Sequence, residues 1–410
     1  MTATPPIALL TTIRASQYAF LGQEAGDWAP SGMVASDSTM QRISEWPLRQ
    51  QRLLLTAFVI LLSLGVLVCA EATVRVRAYA KYGSSGGIEQ TYHFDEELGL
   101  RVAIPNSQFG SIRISEQGFR SPSVPMPKPA ETIRLAFLGG STTYCAEVSD
   151  EALTWPHLVT GALKQHYPNV DFDYINAGVP GVGVGHARQY LEKRVANYAP
   201  DVILIYEATN DLSANSYDVA KSLGQVPSRT EQDLNWLSRY SLLSYLVEKN
   251  LLVRRLQSQI EEPTKSLVLT PDLMRAIVAP FERDLTDLVR SSQRVAPLVA
   301  VITFAPRVRA DQTAEEQRAA AVTSLYHMPF MTVGGIIDAF AAYNETIATV
   351  AKSSQALLIG EESTIPGDGD HYVDSVHFTD KGSRAMARRV VERLIGSAQL
   401  EQLIQARAAK

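Results

Sequence analysis

Two short runs decide most of what this chain can become. Ile133–Leu138 (IRLAFL) and Asp201–Tyr206 (DVILIY) are apolar at nearly every position and stop abruptly at small or polar residues. A strand of that kind needs cover on both faces, which a parallel sheet with helices on each side provides. Between the two runs, Trp155–Tyr167 and Val184–Tyr198 have helical spacing, and Asp171–Ile175 reads as a further strand. Strands alternating with helices predict an α/β fold, a doubly wound parallel sheet flanked by helices in three layers. Leu298–Phe304 and Ala356–Ile359 extend the strand series, while 271–294, 334–352 and 380–395 extend the helices. The domain so defined covers 131–397. It is interrupted at about 225–265, where 234–262 interleaves leucines with charges and reads as an amphipathic helix packed on the domain edge.

A chain of 410 residues accommodates such a domain with appendages. Its 46% hydrophobic and 20% charged residues are those of a globular protein. Lys and Arg total 38 against 43 Asp and Glu, a net charge of −5 without a basic run, so no nucleic-acid partner is expected. Two cysteines cannot build a disulfide framework.

Upstream, Leu53–Ala70 (LLLTAFVILLSLGVLVCA) is an uncharged run between Arg52 and Glu71. As a helix it would span about 27 Å, close to the thickness of a hydrocarbon core. It is read as a transmembrane signal anchor and the point of contact with a membrane. Basic flanking residues balance, with Arg42, Arg49 and Arg52 before it and Arg75, Arg77 and Lys81 after. Orientation therefore rests on the position of the segment: one early span followed by a long soluble region places that region outside the cytoplasm. Residues 1–52 read as a disordered or cytoplasmic tail, with Met40 a second candidate start, and Ala70-Glu71-Ala72 has the form of a signal-peptidase site. Cys69 follows Val68 rather than a small residue, which speaks against lipidation. Residues 73–130 alternate short apolar pieces with turn signals and read as a small β-rich preface.

Ligands of an open α/β sheet gather beyond the carboxyl ends of its strands. There the sequence places Gly139-Gly140-Ser141, then Asn176 to Gly181, then Ala208-Thr209-Asn210-Asp211, and finally Asp374-Ser375-Val376-His377 ahead of the last long helix. Acyl transfer needs a nucleophile, a base, a group that orients the base, and donors for the developing oxyanion. Ser141 is the candidate nucleophile, His377 the base and Asp374 its orienting partner. The backbone N–H groups of Ser141 and Gly181 and the side-chain amide of Asn210 are the candidate oxyanion donors. No cofactor and no metal are expected.

These four blocks resemble those of the SGNH hydrolases, also called GDSL-type esterases and lipases. The resemblance covers about residues 95–395, and Leu98 to Arg101, Pro105-Asn106 and Gly118-Phe119-Arg120 are similar to the preface of secreted, polysaccharide-associated members. It implies a three-layer, flavodoxin-like domain. Two positions depart from the pattern: the Asp expected before the nucleophile is Gly140, and the Gly expected two residues before the amide Asn is Ala208.

Other residues read more plainly. Cys145 has no base assigned to it and reads as a buried thiol. His371, with Asp368 and Asp370, reads as a polar loop because no further metal ligands stand at recognisable spacing. Gly181-Val-Gly-Val-Gly185 lacks the spacing of a dinucleotide loop. The whole reads as a membrane-anchored serine esterase acting on an O-acyl ester, O-acetyl being the implied group, of an extracytoplasmic glycan or a small ester. A polysaccharide O-acetyltransferase fits the same residues, with a sugar hydroxyl in place of water. A non-catalytic glycan-binding component of an envelope assembly would be expected to have lost part of the set.

Overall fold

The computed structural model describes residues 46–82, 88–225, 235–259 and 267–408. Residues 1–45, including Met40 and most of the predicted tail, lie outside the described residues, as do parts of the predicted insertion.

The chain divides after Val66. In the first unit the described chain is essentially the start of helix α1, Leu48–Tyr82. Pro47 stands before its first turn and Gly83 follows its end, the usual punctuation of a helix. Its residues from Leu53 to Cys69 are all exposed, and Leu48–Ala80 is long and apolar enough to cross a membrane. The helix therefore runs past both ends of the apolar segment 53–70. No proline interrupts 48–82, and EATVRVRAYAKY extends the helix beyond the apolar run.

The second unit opens with two hairpins, smaller than the predicted preface. Strands β1 (Tyr92–Asp95) and β2 (Leu100–Ala103) pair antiparallel, as do β3 (Gln108–Phe109) and β4 (Ile112–Arg113). Then come β5 (Ile133–Gly139), the short α2 (Ser141–Tyr144), α3 (Trp155–His166), β6 (Phe172–Asn176), α4 (Val184–Lys193), β7 (Val202–Tyr206) and α5 (Thr209–Ser222). Helices α6 (Leu242–Gln259) and α7 (Pro271–Val295) precede β8 (Leu298–Ile302), and α8 (Ala314–His327) and α9 (Val333–Ser353) precede β9 (Leu357–Ile359). Helices α10 (Asp380–Ile395) and α11 (Ala398–Ala408) follow.

The five strands β5 to β9 form one parallel sheet in the order β6-β5-β7-β8-β9, as the apolar runs predict. Every residue of β5, β7 and β8 is buried, which explains why those runs lack alternation. With β5 between β6 and β7, the chain turns in opposite directions from its two central strands, and a crevice opens at their carboxyl ends. Gly139 stands opposite Tyr206 in that pairing, so the loops after β5 and β7 leave the sheet at the same level.

Buried cations hold the preface to this crevice. Arg120, fully buried, donates through Nη1 to the carbonyl of Tyr144 (2.5 Å) and through Nε to Glu151 (3.2 Å), and its backbone N–H donates to the carbonyl of Asn176 (3.2 Å). One residue of the preface therefore grips the end of α2 and the end of β6. Arg134, on β5, forms a two-point pair with Asp173 on β6 at 2.7 and 2.6 Å and donates to the carbonyls of Pro125 and Tyr198. The predicted inserted helix is present as α6. The Glu71 carboxylate receives the N–H groups of Leu242 and Leu243 at 3.0 and 2.9 Å and the Ser241 hydroxyl at 2.9 Å, satisfying donors that open the first turn of α6.

Candidate active site

The loop after β5 is built without room for side chains. A Cβ on Gly139 would lie 2.1 Å from Thr143 Oγ1 and 2.6 Å from the Tyr206 carbonyl. One on Gly140 would lie 2.6 Å from Asn210 Nδ2 and 3.1 Å from the Val182 carbonyl. Gly140 is where the family pattern has Asp, and a side chain added here would press first on the Asn210 amide. The space is taken by Asn210 and by the Glu207 carboxyl, whose Oε2 would be 3.5 Å from such a Cβ. Ala208, the other departure, has φ −172°, an extended backbone that needs no glycine.

Ser141 begins α2, and its Oγ is 2.8 Å from His377 Nε2. On the other side of the ring, His377 Nδ1 is 2.8 Å from Asp374 Oδ2. The remaining carboxylate oxygen, Oδ1, receives the backbone N–H groups of Val376 and His377, both at 2.9 Å. Asp374 is thereby fixed from both oxygens. Behind it, the fully buried Ser375 hydroxyl donates to the Ala320 carbonyl (2.6 Å) and accepts from the N–H groups of Thr323 and Ser324 (3.0 and 3.1 Å), tying the loop to α8.

The second loop, after β6, is locked to the serine. Asn176 Nδ2 donates to the Thr143 carbonyl (2.9 Å), its Oδ1 accepts from Gly178 N–H (3.0 Å), and Val179 N–H donates to the Gly139 carbonyl (3.0 Å). Gly181 then turns through a left-handed conformation, φ +74°. Asn210, in the first turn of α5, donates one amide hydrogen to the Val182 carbonyl at 2.6 Å, which leaves its second hydrogen available. The structure thus gathers Ser141, Asp374, His377 and Asn210 in one crevice, and Asn210 ties down the loop that carries Gly181.

Charges are poised unequally around this site. For Asp374, burial works to raise the carboxyl pKa, but the hydrogen bond and charge of His377 and two backbone N–H groups outweigh it and hold the group below the ordinary aspartate value. Burial depresses the basicity of His377, yet the Asp374 hydrogen bond, the charge of Glu147 and the charge of Asp374 raise it to about 9. Glu147 lies in the loop after α2, with Oε1 4.0 Å from His377 Nδ1. Sequence reasoning missed it, and nothing in its spacing from Ser141 marks it. Also missed was Glu207, fully buried, whose carboxyl is pushed well up by burial and by neighbouring Asp211. Burial raises Asp211 itself to about 7, although it accepts from Val184 N–H.

The residues read more plainly fall outside the chemistry. Cys145 is a free, buried thiol that burial raises to about 12. His371 Nδ1 pairs with Asp368 at 2.7 Å, repeating the local geometry of Asp374 and His377, but the ring bonded to Ser141 is that of His377. Among the described residues, no group of three or more His, Cys, Asp or Glu could hold a metal ion.

Comparison with known proteins agrees with the geometry. Residues 137–385 match the model of the GDSL-like lipase/acylhydrolase family. No match was found among curated proteins. Solved structures similar to the chain include an acetylxylan esterase from Geobacillus stearothermophilus, 15% identical with a TM-score of 0.39, covering 65% of this chain and 96% of that one. The acetyl xylan esterase AlAXEase is 15% identical with a TM-score of 0.37, covering 63% and 98%. A family match over more than half the length, spanning the loops that carry Ser141, Asn210, Asp374 and His377, makes this chain a member of the GDSL-like lipase/acylhydrolase family and a serine ester hydrolase.

Proposed function

We propose that the protein is a membrane-anchored esterase that removes O-acyl groups, O-acetyl foremost, from a glycan outside the cytoplasm. The observation that carries the reaction is the unbroken chain from Ser141 Oγ to His377 Nε2 and from His377 Nδ1 to Asp374, each link 2.8 Å. Ser141 Oγ attacks the ester carbonyl as His377 Nε2 takes its proton. The tetrahedral adduct collapses with that proton passing to the departing sugar oxygen, leaving an acyl-serine. His377 then draws a proton from water, the hydroxide attacks the acyl carbonyl, and the carboxylic acid leaves as Ser141 recovers its proton. The N–H groups of Ser141 and Gly181 and the free amide hydrogen of Asn210 receive the oxyanion in both adducts.

Asn210→Ala is expected to lower kcat by about a hundred- to a thousandfold with little change in KM, the usual loss when one oxyanion donor is removed. Steady-state kinetics on a short-chain aryl ester checks it, and a rise in KM alone would make Asn210 a substrate-binding residue instead.

The glycan reading rests on resemblance to polysaccharide-associated members and on the exposed apolar helix ahead of the domain. Ala70-Glu71-Ala72 lies inside α1, with Glu71 engaged at α6, which favours a retained anchor over a cleaved signal. A reporter active only outside the cytoplasm, fused after Lys410, should be active and sediment with membranes. An inactive reporter reverses the orientation, and a soluble active one shows cleavage. Release of acetate from acetylated glycans by the membrane-bound protein tests the substrate class.

A further inference from the structure

His377 faces two carboxylates rather than one. Besides Asp374 at 2.8 Å, Glu147 Oε1 lies 4.0 Å from the same ring nitrogen. The Glu147 side chain is 26% exposed and that of His377 17%, so the pair is only partly screened by water. The position of Glu147 is built, not incidental. Cys145, at φ +59°, turns the chain sharply at the end of α2, and Arg120 holds the Tyr144 carbonyl just before that turn. Two residues beyond Glu147, the Ser149 N–H and hydroxyl both bond the Asp380 carboxylate, at 2.8 and 2.6 Å, in the first turn of the helix that follows His377. The loop is thus clamped at both ends around the base.

We infer that Glu147 is a positioning residue for the esterase reaction: a second carboxylate that acts through His377 by stabilising the imidazolium formed when Ser141 gives up its proton. This rests on His377 being the base. The charged groups acting on the ring are Asp374 from its own loop and Glu147 from the loop after α2; burial pushes the Glu147 carboxyl itself above the ordinary glutamate value, the charge of His377 works against that rise, Asp374 adds to it, and Arg120 opposes it. Their signs have opposite effects on two observables. A nearby anion favours the protonated ring, so less free base is present at neutral pH and kcat/KM climbs only in the alkaline range. The same anion stabilises the charge that develops on the ring during transfer, which raises the rate reached once the base is free.

Glu147→Gln keeps the shape and removes the charge. Its rising limb of kcat/KM should move to lower pH by about one unit, the lower end of the range for a charge 4–6 Å away, while the alkaline plateau falls several-fold. Glu147→Asp should restore part of both. A residue of merely structural importance would lower the whole profile without moving the limb. Titration of the His377 ring by NMR in the same full-length variants reads the shift independently of turnover, so an inactive protein would still decide whether Glu147 acts on His377. A Glu147→Gln limb and ring titration that superimpose on wild type would overturn the inference. Ser149→Ala, which loosens the clamp and leaves both carboxylates in place, should shift the limb in the same direction by less. A limb unmoved there while Glu147→Gln shifts would leave the charge role standing and remove the clamp from it.

Discussion

Ser141→Ala and His377→Ala are each expected to abolish ester hydrolysis, with kcat falling by up to about a millionfold, because members of a triad act as a unit and either loss removes most of what the set achieves. Neither change should disturb the fold, since both side chains lie at the rim of the crevice and outside the buried core. Turnover of a short-chain aryl ester measures the loss, and circular dichroism checks the fold. A fluorophosphonate should label wild type at Ser141 and nowhere else. Labelling of another serine, or full turnover by Ser141→Ala, would show that the 2.8 Å contact with His377 is not the catalytic one.

Asp374→Asn should come next in size, at about ten-thousandfold in kcat. The reason lies in how thoroughly the carboxylate is used. One oxygen takes two backbone N–H groups and the other takes His377 Nδ1. An amide can satisfy only one of those sides with its oxygen. If that oxygen keeps the backbone contacts, the NH2 group faces Nδ1, which must then accept, and the ring proton moves to Nε2 where the base should be. If the amide turns round, the NH2 meets two other donors. Either outcome disables His377 while KM stays near its wild-type value. Retention of activity within about tenfold would remove Asp374 from the orienting role.

The sheet was legible because its strands announce themselves. β5 and β7 are buried along their entire length, and such short uniform apolar runs, one ending in Gly139-Gly140 and the other followed by Glu207-Ala208-Thr209-Asn210, are what a strand covered on both faces leaves in a sequence. Helix α8 was not read, although Thr313 and Glu316 form a reciprocal cap at its start, a signature visible in the sequence. Its alanine-rich face lacks the strong apolar spacing on which the other helices were recognised. The end of α1 at Tyr82 was also missed, since alternating Val, Arg and Ala serve a strand or a helix alike. In the site, local chemistry favoured neither Asp-x-x-His over the other: Asp368 with His371 and Asp374 with His377 close the same short turn. What separates the two in the structure is a contact across 236 residues, between His377 Nε2 and Ser141 Oγ. Glu147 and Glu207 depend on the same kind of long-range closure, so spacing carried no trace of them.

The crowding at Gly140 limits what residue 140 can become without moving its neighbours. Restoring the aspartate found elsewhere in the family would drive its Cβ into Asn210 and the Val182 carbonyl, and its carboxylate toward the buried Glu207. The Asn210 amide would have to move and the Val182 carbonyl to give by a few tenths of an ångström, while Glu207 stands at ordinary contact distance. A side chain at 140 and the Asn210 amide therefore compete for one space, so what such a change disturbs first is the placement of that amide beside Ser141.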